Sequence, residues 1–279
     1  MNPIKDLVLA VDFTEHSNIT LQSVVSFCKE SKSTLSLIHV IPEMSKDLED
    51  LTKVSNEKID EIVKRVLKEK IEVPHVKVIT GNIEDHVVAF AESLGADAIV
   101  IGSGNYHNKK HRLGGHAEAI LRQSSIPVLI IKNTITPLKG KVACPIDLTP
   151  SSDKVLNTAI EYAKHVGGEI VVIHAVEPAV YGYEGAGFDY VYADQNFFKD
   201  EAGALDAFLK TFDFKGVPWS KKVLLGSAAY EVSEYIKKYP FVMTIMSSAS
   251  RSGISRLILG SVAESVTRNI DSPCLVLKK

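Results

Sequence analysis

Two aspartates at repeated positions are the first candidates for chemistry in this sequence. Asp12 follows the apolar run Leu7–Val11, and Asp147 follows a similar run at residues 142–146. An aspartate between a strand and a helix either shapes the turn and caps the helix, or presents its carboxylate to a ligand. Both interpretations stay open here, because one carboxylate can serve both purposes.

A second candidate is the stretch of small residues that runs from Ser247 and Ser250 to Gly260 and Ser261. Unpaired backbone N–H groups and the helix dipole favour an anion at a helix start, and small residues allow its close approach. The stretch therefore indicates a phosphate site. The alternative is an ordinary helix start, with Gly260 for the bend and Ser261 as the cap.

The corresponding stretch of the first half runs from Gly102 to Gly115 and is richer in glycine and basic residues. Three histidines occur in or just after it and have the residue type of metal ligands: His107, His111 and His116. Lys109, Lys110 and Arg112 lie among them and would repel a dication. We therefore interpret this stretch as a polar surface loop.

Other patterns narrow the function classes. His39 and His174 lie within apolar strands, which is more typical of core histidines than of ligands. The sequence contains no GxxxxGK[ST] phosphate loop, no GxGxxG after a first strand, no GxSxG elbow and no HExxH helix. No catalytic residue is predicted. An enzyme is therefore not the expected class.

An internal repeat determines the domain organisation. Residues 7–14 recur at 142–149 and residues 37–40 at 172–175, both at an offset of 135, and later blocks recur at 145 and 146. Five blocks in one order indicate a tandem duplication. We predict two domains, residues 1–135 and 136–279. The second copy has gained about ten residues, most simply within the Gly/Tyr-rich stretch Tyr181 to Tyr192, which is either a lid or partner-binding loop or a surface insertion.

Each copy alternates strand-like and helix-like segments. In the first, strands are predicted at Leu7–Val11, Leu35–Ile41, Val76–Ile79, Ala98–Ile101 and Val128–Ile131, and helices at Ser17–Ser31, Lys46–Lys70, Ile83–Leu94 and Gly115–Gln123. Alternating strands and helices with nearly continuous apolar strands predict an α/β fold with a doubly wound parallel sheet. Ligands of such sheets bind at the carboxyl ends of the strands.

The composition excludes several classes of protein. The chain has 279 residues, 45% hydrophobic and 24% charged, with 32 Lys and Arg against 34 Asp and Glu. A net charge of -2 argues against an electrostatic nucleic-acid binder. Three scattered cysteines do not form a disulfide framework and are read as buried thiols. No signal peptide and no apolar run of about 20 residues is found, so we expect a cytoplasmic protein without membrane association.

These residues together resemble the universal stress protein family, in particular its tandem members. The resemblance covers almost the whole chain, and its most specific block runs from Arg251 to Glu264 and closes on Pro273–Val276. It implies two five-stranded parallel-sheet domains with the fold of the adenine-nucleotide alpha hydrolases. It also implies an intrachain pseudo-dimer through the last strands, Val128–Ile131 and Cys274–Leu277. A further homodimer of chains stays open.

Nucleotide-binding members hold ATP with an Asp after strand one, a backbone contact after strand two and a G-x2-G-x9-G-[S/T] loop. The matching residues of the second copy are Pro145, Asp147, Ala175, Ser247, Ser250, Gly260 and Ser261. Those of the first copy are Ala10, Asp12, Val40, Gly102, Asn105, Gly114 and Gly115. Neither loop is intact: serines replace both early glycines of the second, and the first is one residue short.

Two functions follow from the resemblance. One is a stress-response protein that binds ATP or another adenine nucleotide in one half, with at most slow ATP hydrolysis and no metal except the Mg²⁺ that accompanies the nucleotide. The other is a regulatory protein with degenerate sites that binds an unknown protein partner. An enzyme on a related nucleotide-binding sheet is not favoured, because the SGGxDS, HIGH and KMSKS motifs are missing.

Overall fold

The computed structural model describes residues 2–102, 113–132, 138–177, 195–248 and 259–278. Strands and helices alternate along this part of the chain in the predicted way. The elements of the first half are β1 (Asp6–Ala10), α1 (Glu15–Ser31), β2 (Thr34–Ile41), α2 (Leu48–Lys68), β3 (Val76–Thr80), α3 (Ile83–Leu94), β4 (Ala98–Gly102), α4 (Gly115–Gln123) and β5 (Val128–Ile131). Those of the second are β6 (Lys141–Ile146), α5 (Ser151–Val166), β7 (Glu169–Val176), α6 (Gln195–Leu209), β8 (Trp219–Leu225), α7 (Ala228–Lys238), β9 (Phe241–Ser247), α8 (Ser261–Asn269) and β10 (Cys274–Leu277).

All ten strands form one sheet in the order β3-β2-β1-β4-β5-β10-β9-β6-β7-β8. Pairing is parallel within each half and antiparallel only between β5 and β10, where Cys274 lies opposite Ile130 and Val276 opposite Val128. This confirms the predicted fold class and the pseudo-dimer through the last strands. Since the two halves run in opposite directions, the carboxyl ends of their strands lie at opposite edges of the sheet.

The central strands are buried because helices cover both faces of the sheet, as continuous apolar strands predict. Residues of β1, β5, β6 and β10 alternate between two hydrophobic clusters. Helices α1, α2, α5 and α6 contribute to the first cluster, and α3, α4, α7 and α8 to the second. Among the helices of the described residues, none is long and apolar enough to cross a membrane.

Helix α2 is shorter at both ends than its helical periodicity predicts. The apolar stripe predicted a helix over Lys46–Lys70, but α2 spans Leu48–Lys68. Asp47 and Lys70 both have left-handed backbone conformations, with φ values of 56° and 61°. A right-handed helix cannot continue through such a residue, so these two residues bound it.

Two lysines connect the halves beside the central strand pair. Lys132, just after β5, donates from Nζ to the carbonyl of Ile270 at 2.7 Å, and Lys278, just after β10, donates to the carbonyl of Leu121. Each lysine therefore binds near the carboxyl end of a helix of the other half, where carbonyls lack helical partners. The predicted domain boundary at 135/136 falls outside the described residues and stays a prediction.

The three cysteines, Cys28, Cys144 and Cys274, are buried and free, as the sequence predicts. Burial raises the pKa of Cys28 and Cys274 to about 12, and also raises that of Cys144. A thiol reacts as its thiolate, so these side chains are packing residues and not nucleophiles.

Candidate functional site

Each half has a cleft at the carboxyl ends of its strands, the place where ligands of such sheets bind. Six predicted residues line the cleft of the first half: Ala10, Asp12, Val40, Gly102, Gly114 and Gly115. Six line that of the second half: Pro145, Asp147, Ala175, Ser247, Gly260 and Ser261. Asn105 and Ser250 lie outside the described residues, as does the stretch Tyr181 to Tyr192.

The two clefts differ in size. The first cleft has a volume of about 420 Å³ and the second of about 210 Å³. Sites for small molecules and cofactors typically enclose roughly 300–1,000 Å³. The first cleft falls within that range, and the second falls below it.

Asp12 and Asp147 organise the same turn in both halves. The N–H and hydroxyl of Thr14 donate to Oδ1 of Asp12 at 3.0 and 2.7 Å, and Thr149 binds Oδ1 of Asp147 at 3.1 and 2.6 Å. The hydroxyl of Ser152 adds a third bond to Oδ1 of Asp147. Within the described ranges, no hydrogen bond reaches Oδ2 of either aspartate. The turn role is therefore confirmed, and the ligand role stays a prediction.

The residue after each aspartate has an unusual backbone. Phe13 and Leu148 have φ values of 60° and 59°, in the left-handed region that bulky side chains rarely adopt. The sequence gives no sign of this conformation, because neither residue is glycine or asparagine. The same conformation in both halves shows that the duplicated turn keeps one geometry, with the Asp carboxylate held at the cleft.

The two strand histidines support this turn from the neighbouring strand. Nδ1 of His39 donates to the carbonyl of Val11 at 2.7 Å, and Nδ1 of His174 donates to that of Ile146 at 3.0 Å. Burial lowers the pKa of His39, against the opposing effects of the Val11 carbonyl and Asp12. Both side chains are bound to the backbone, as expected for core histidines, and each fixes the residue that precedes its aspartate.

A helix begins at the wall of each cleft and could hold an anion with its free N–H groups. In the first half, α4 follows Gly114, and an added Cβ at Gly114 or Gly115 would meet no atom within 4 Å. His116 of α4 binds Oε1 of Glu84 at the start of α3 through Nδ1 at 2.7 Å. Burial acts to raise the pKa of Glu84, but the hydrogen bond and charge of His116 outweigh it and hold that pKa below its usual value.

The second cleft has a different wall. Val262 and Ala229 occupy the positions of His116 and Glu84, and serines join the helices instead: the hydroxyls of Ser233 and Ser265 lie 3.0 Å apart. Glu177, just after β7, lines this cleft together with Asp147. Among the described lining residues, the second cleft therefore has one carboxylate more than the first.

The floor of the first cleft contains a contact that sequence reasoning missed. Thr20 of α1 lies against Gly102, and a Cβ on Gly102 would be 2.3 Å from Oγ1 of Thr20. The residues at the same positions of the second half are Val155 and Ser247. Comparing the two copies at the repeat offset could have revealed this difference, because Thr20 aligns with Val155 and Gly102 with Ser247.

The cleft geometry and the tandem sheet define the class: a duplicated α/β protein with one candidate ligand site per half. The sequence pattern of the universal stress protein family matches residues 3–132 and again residues 140–278. The chain therefore belongs to the universal stress protein family, as a tandem member with two such domains.

Individual relatives agree with this assignment. Universal stress protein MJ0531 of Methanocaldococcus jannaschii is 28% identical over 142 residues, which cover 51% of this chain and 84% of that protein. Universal stress protein G of Escherichia coli O157:H7 is 27% identical over 143 residues, 46% of this chain and 99% of that protein. A universal stress protein structure from Archaeoglobus fulgidus DSM 4304 shares the fold over 98% of both chains, with a TM-score of 0.76 at 20% identity.

Proposed function

We propose that this protein binds an adenine nucleotide, ATP or a close relative, in the cleft of its first half. The observation that carries the proposal is the 420 Å³ cleft that Asp12, Gly102, Gly114 and Gly115 line together at the strand ends. Family membership supports a role in the stress response. A nucleotide in this cleft would link that role to the nucleotide supply of the cell.

The start of α4 supports binding of the phosphates. Gly114 and Gly115 carry no side chain, so among the described residues nothing keeps a phosphate from the free N–H groups at the start of α4. His116 next to them donates to Glu84 through Nδ1 and is largely exposed. A protonated His116 would add a positive charge, and Mg²⁺ would arrive bound to the phosphates.

The part of the cleft around Asp12 supports binding of the nucleoside. Oδ1 of Asp12 already accepts two hydrogen bonds from Thr14, which leaves Oδ2 as an acceptor for a ligand N–H or O–H. The neighbouring wall is formed by Ala10, Val40 and Ile101, whose apolar surfaces suit a flat base. No general base for hydrolysis is assigned, so the proposed function is binding.

The second half is the weaker candidate. Its cleft has half the volume, and Glu177 adds beside Asp147 a carboxylate that the described lining of the first cleft does not have and that would repel a phosphate near it. Serine replaces glycine at position 247, so a side chain stands at the strand end where the first half has the backbone of Gly102 alone. We expect one nucleotide per chain.

The test is a calorimetric titration of full-length protein with Mg-ATP, using Asp12→Asn and Asp147→Asn as matched variants. The amide oxygen of asparagine can keep the turn, while the charge and the free acceptor are lost. We expect Asp12→Asn to weaken binding about 10-fold or more, since hydrogen bonds to charged groups contribute about 1.5–3 kcal/mol. Asp147→Asn should bind as the wild type does.

The opposite pattern would move the site to the second half. Absence of heat and of any thermal shift up to millimolar Mg-ATP would contradict nucleotide binding. It would favour the second candidate, a regulatory protein that binds a protein partner.

A further inference from the structure

We propose that Thr20 is a specificity-determining residue of the first cleft, whose hydroxyl binds a ribose hydroxyl of the nucleotide. This inference rests on the proposed function, because it assigns a role within the same cleft. Thr20 lies in the second turn of α1 and lines the cleft together with Asp12 and Gly102.

The first argument is the missing hydrogen bond of the Thr20 hydroxyl. Thr20 is only 6% exposed, and its hydroxyl has no hydrogen-bond partner among the residues described in the structure. The three other threonines inside the described helices, Thr52, Thr158 and Thr267, donate to the carbonyl four residues earlier at 2.7–2.8 Å. That bond is the usual solution for a helical threonine. Thr20 does not adopt it.

The second argument is the direction of the hydroxyl. Oγ1 of Thr20 lies 2.3 Å from the position of a Cβ on Gly102, closer than the other side-chain atoms of Thr20. It therefore lies at the strand-end glycine, on the floor of the cleft. A hydroxyl that no described protein group binds at this place is available to a ligand in the cleft.

The third argument is the difference between the two halves. Val155 takes the place of Thr20 in α5 and also lines its cleft, but it has no hydroxyl. Because the two turns before these helices share one geometry, the comparison isolates the side chain. At this helix position, only the first half presents a hydroxyl to its cleft.

The chemistry of the floor favours a diol. A threonine hydroxyl donates one hydrogen bond and accepts others, whereas the free Oδ2 of Asp12 only accepts. Two neighbouring ribose hydroxyls match this pair. One donates to Oδ2 of Asp12, and the other donates to or accepts from the hydroxyl of Thr20. The edge of the base offers no such adjacent pair of groups that both donate and accept.

The experiment compares ATP, 2′-deoxy-ATP and 3′-deoxy-ATP on full-length protein carrying Asp147→Asn, with Thr20, Thr20→Val or Thr20→Ser. Thr20→Val keeps the shape and removes the hydroxyl, as Val155 does naturally. We expect it to weaken ATP binding about 3- to 10-fold, the usual effect of one neutral hydrogen bond. One of the two deoxy nucleotides should bind Thr20→Val and the parent protein equally, and Thr20→Ser should retain the discrimination.

Stability of the ligand-free protein provides a second readout. Thr20→Val should have an unchanged or higher Tm, because it keeps the shape of the side chain and breaks no hydrogen bond among the described residues. Equal weakening of all three nucleotides, or no weakening of any, overturns the role of Thr20 while the proposed function stands. If the parent protein does not bind ATP, both proposals fail together.

Discussion

At the scale of single residues, Gly102 is a position where a side chain is poorly compatible with the structure. A Cβ there would be 2.3 Å from Oγ1 and 3.2 Å from Cβ of Thr20. We predict that Gly102→Ala lowers the free energy of unfolding by about 1–3 kcal/mol, the usual cost of overpacking. Denaturant unfolding measures the change.

A double-mutant cycle identifies the cause of that loss. Gly114→Ala is the matched control, because an added Cβ there meets no atom within 4 Å. In a Thr20→Ala background, Gly102→Ala should cost much less, since the two residues are in contact. Additive effects would show that the clash with Thr20 is not the reason.

The lowered pKa of His39 predicts that the free energy of unfolding changes with pH in the acidic range. Burial lowers its pKa below the ordinary value, so as pH falls the unfolded chain takes up this proton before the folded chain does. Stability should therefore decline as pH falls below about 6.5. His39→Gln, whose amide can still donate to the Val11 carbonyl, should show a shallower decline between pH 7 and 5, measured by denaturant unfolding. Parallel curves for the two proteins would contradict this.

The residues of the site were predictable only where the repeat or a motif exposes them. Asp12 and Asp147 are found by their equal positions, and both prove to shape the turn. The left-handed Phe13 and Leu148 were not predictable, because local sequence gives bulky residues no preference for that conformation. Thr20 was missed because nothing in the sequence distinguishes it from other threonines of amphipathic helices.

At the scale of elements, α1 and α5 are equivalent helices of the two halves that end at different residue types. Both end at a left-handed residue, Lys32 with φ 56° in the first half and Gly167 with φ 66° in the second. Glycine adopts this conformation without the steric cost that a Cβ brings. We predict that Lys32→Gly raises the free energy of unfolding by about 0.5–1 kcal/mol.

The reciprocal variant is the control. Gly167→Lys should destabilise the protein by about 1 kcal/mol, because it places a Cβ in the same conformation. Thermal unfolding of both variants at one pH compares them directly. A destabilised Lys32→Gly would mean that the lysine side chain makes a contact that outweighs its backbone cost.

Element type was predictable from periodicity, and element ends were less so. The predicted β5 and α4 have the observed ends, Val128–Ile131 and Gly115–Gln123, because an apolar run or a glycine marks them. The ends of α2 depend on the left-handed Asp47 and Lys70, which carry no signal in their residue type.

At the scale of the whole molecule, the halves are joined by β5, β10 and two buried lysines. Burial lowers the pKa of Lys132 and Lys278 to about 8. An unfolded lysine titrates near pH 10.4, so between about pH 8 and 10.4 the unfolded chain holds a proton that the folded chain has released. This contribution to the free energy of unfolding rises with pH over that window, by up to about 3 kcal/mol per lysine.

The variant that tests this is Lys132→Met with Lys278→Met. The buried thiols act in the opposite direction, because burial raises their pKa values. The readout is therefore the difference between wild type and double variant, measured by denaturant unfolding from pH 7 to 10. That difference should grow in favour of the wild type as pH rises. A constant difference would show that these lysines titrate normally.

The duplication and the pairing of its last strands were predictable, the first from the repeat and the second from the resemblance. The hydrogen bonds of Lys132 and Lys278 to the other half were not predictable, because each lysine binds a carbonyl about 140 or more residues away in sequence. The unequal volumes of the two clefts also depend on tertiary packing. For that reason, the sequence left open which half holds a ligand.

The most direct test of the central claim is the stoichiometry of Mg-ATP binding to the full-length wild-type protein, measured by calorimetry. The first cleft has the volume, the open glycines and the free carboxylate oxygen, and the second does not combine them. We predict one nucleotide per chain with a Kd near micromolar, about -8 kcal/mol. Two nucleotides per chain would contradict the assignment to the first half, and no saturable heat up to millimolar Mg-ATP would contradict nucleotide binding itself.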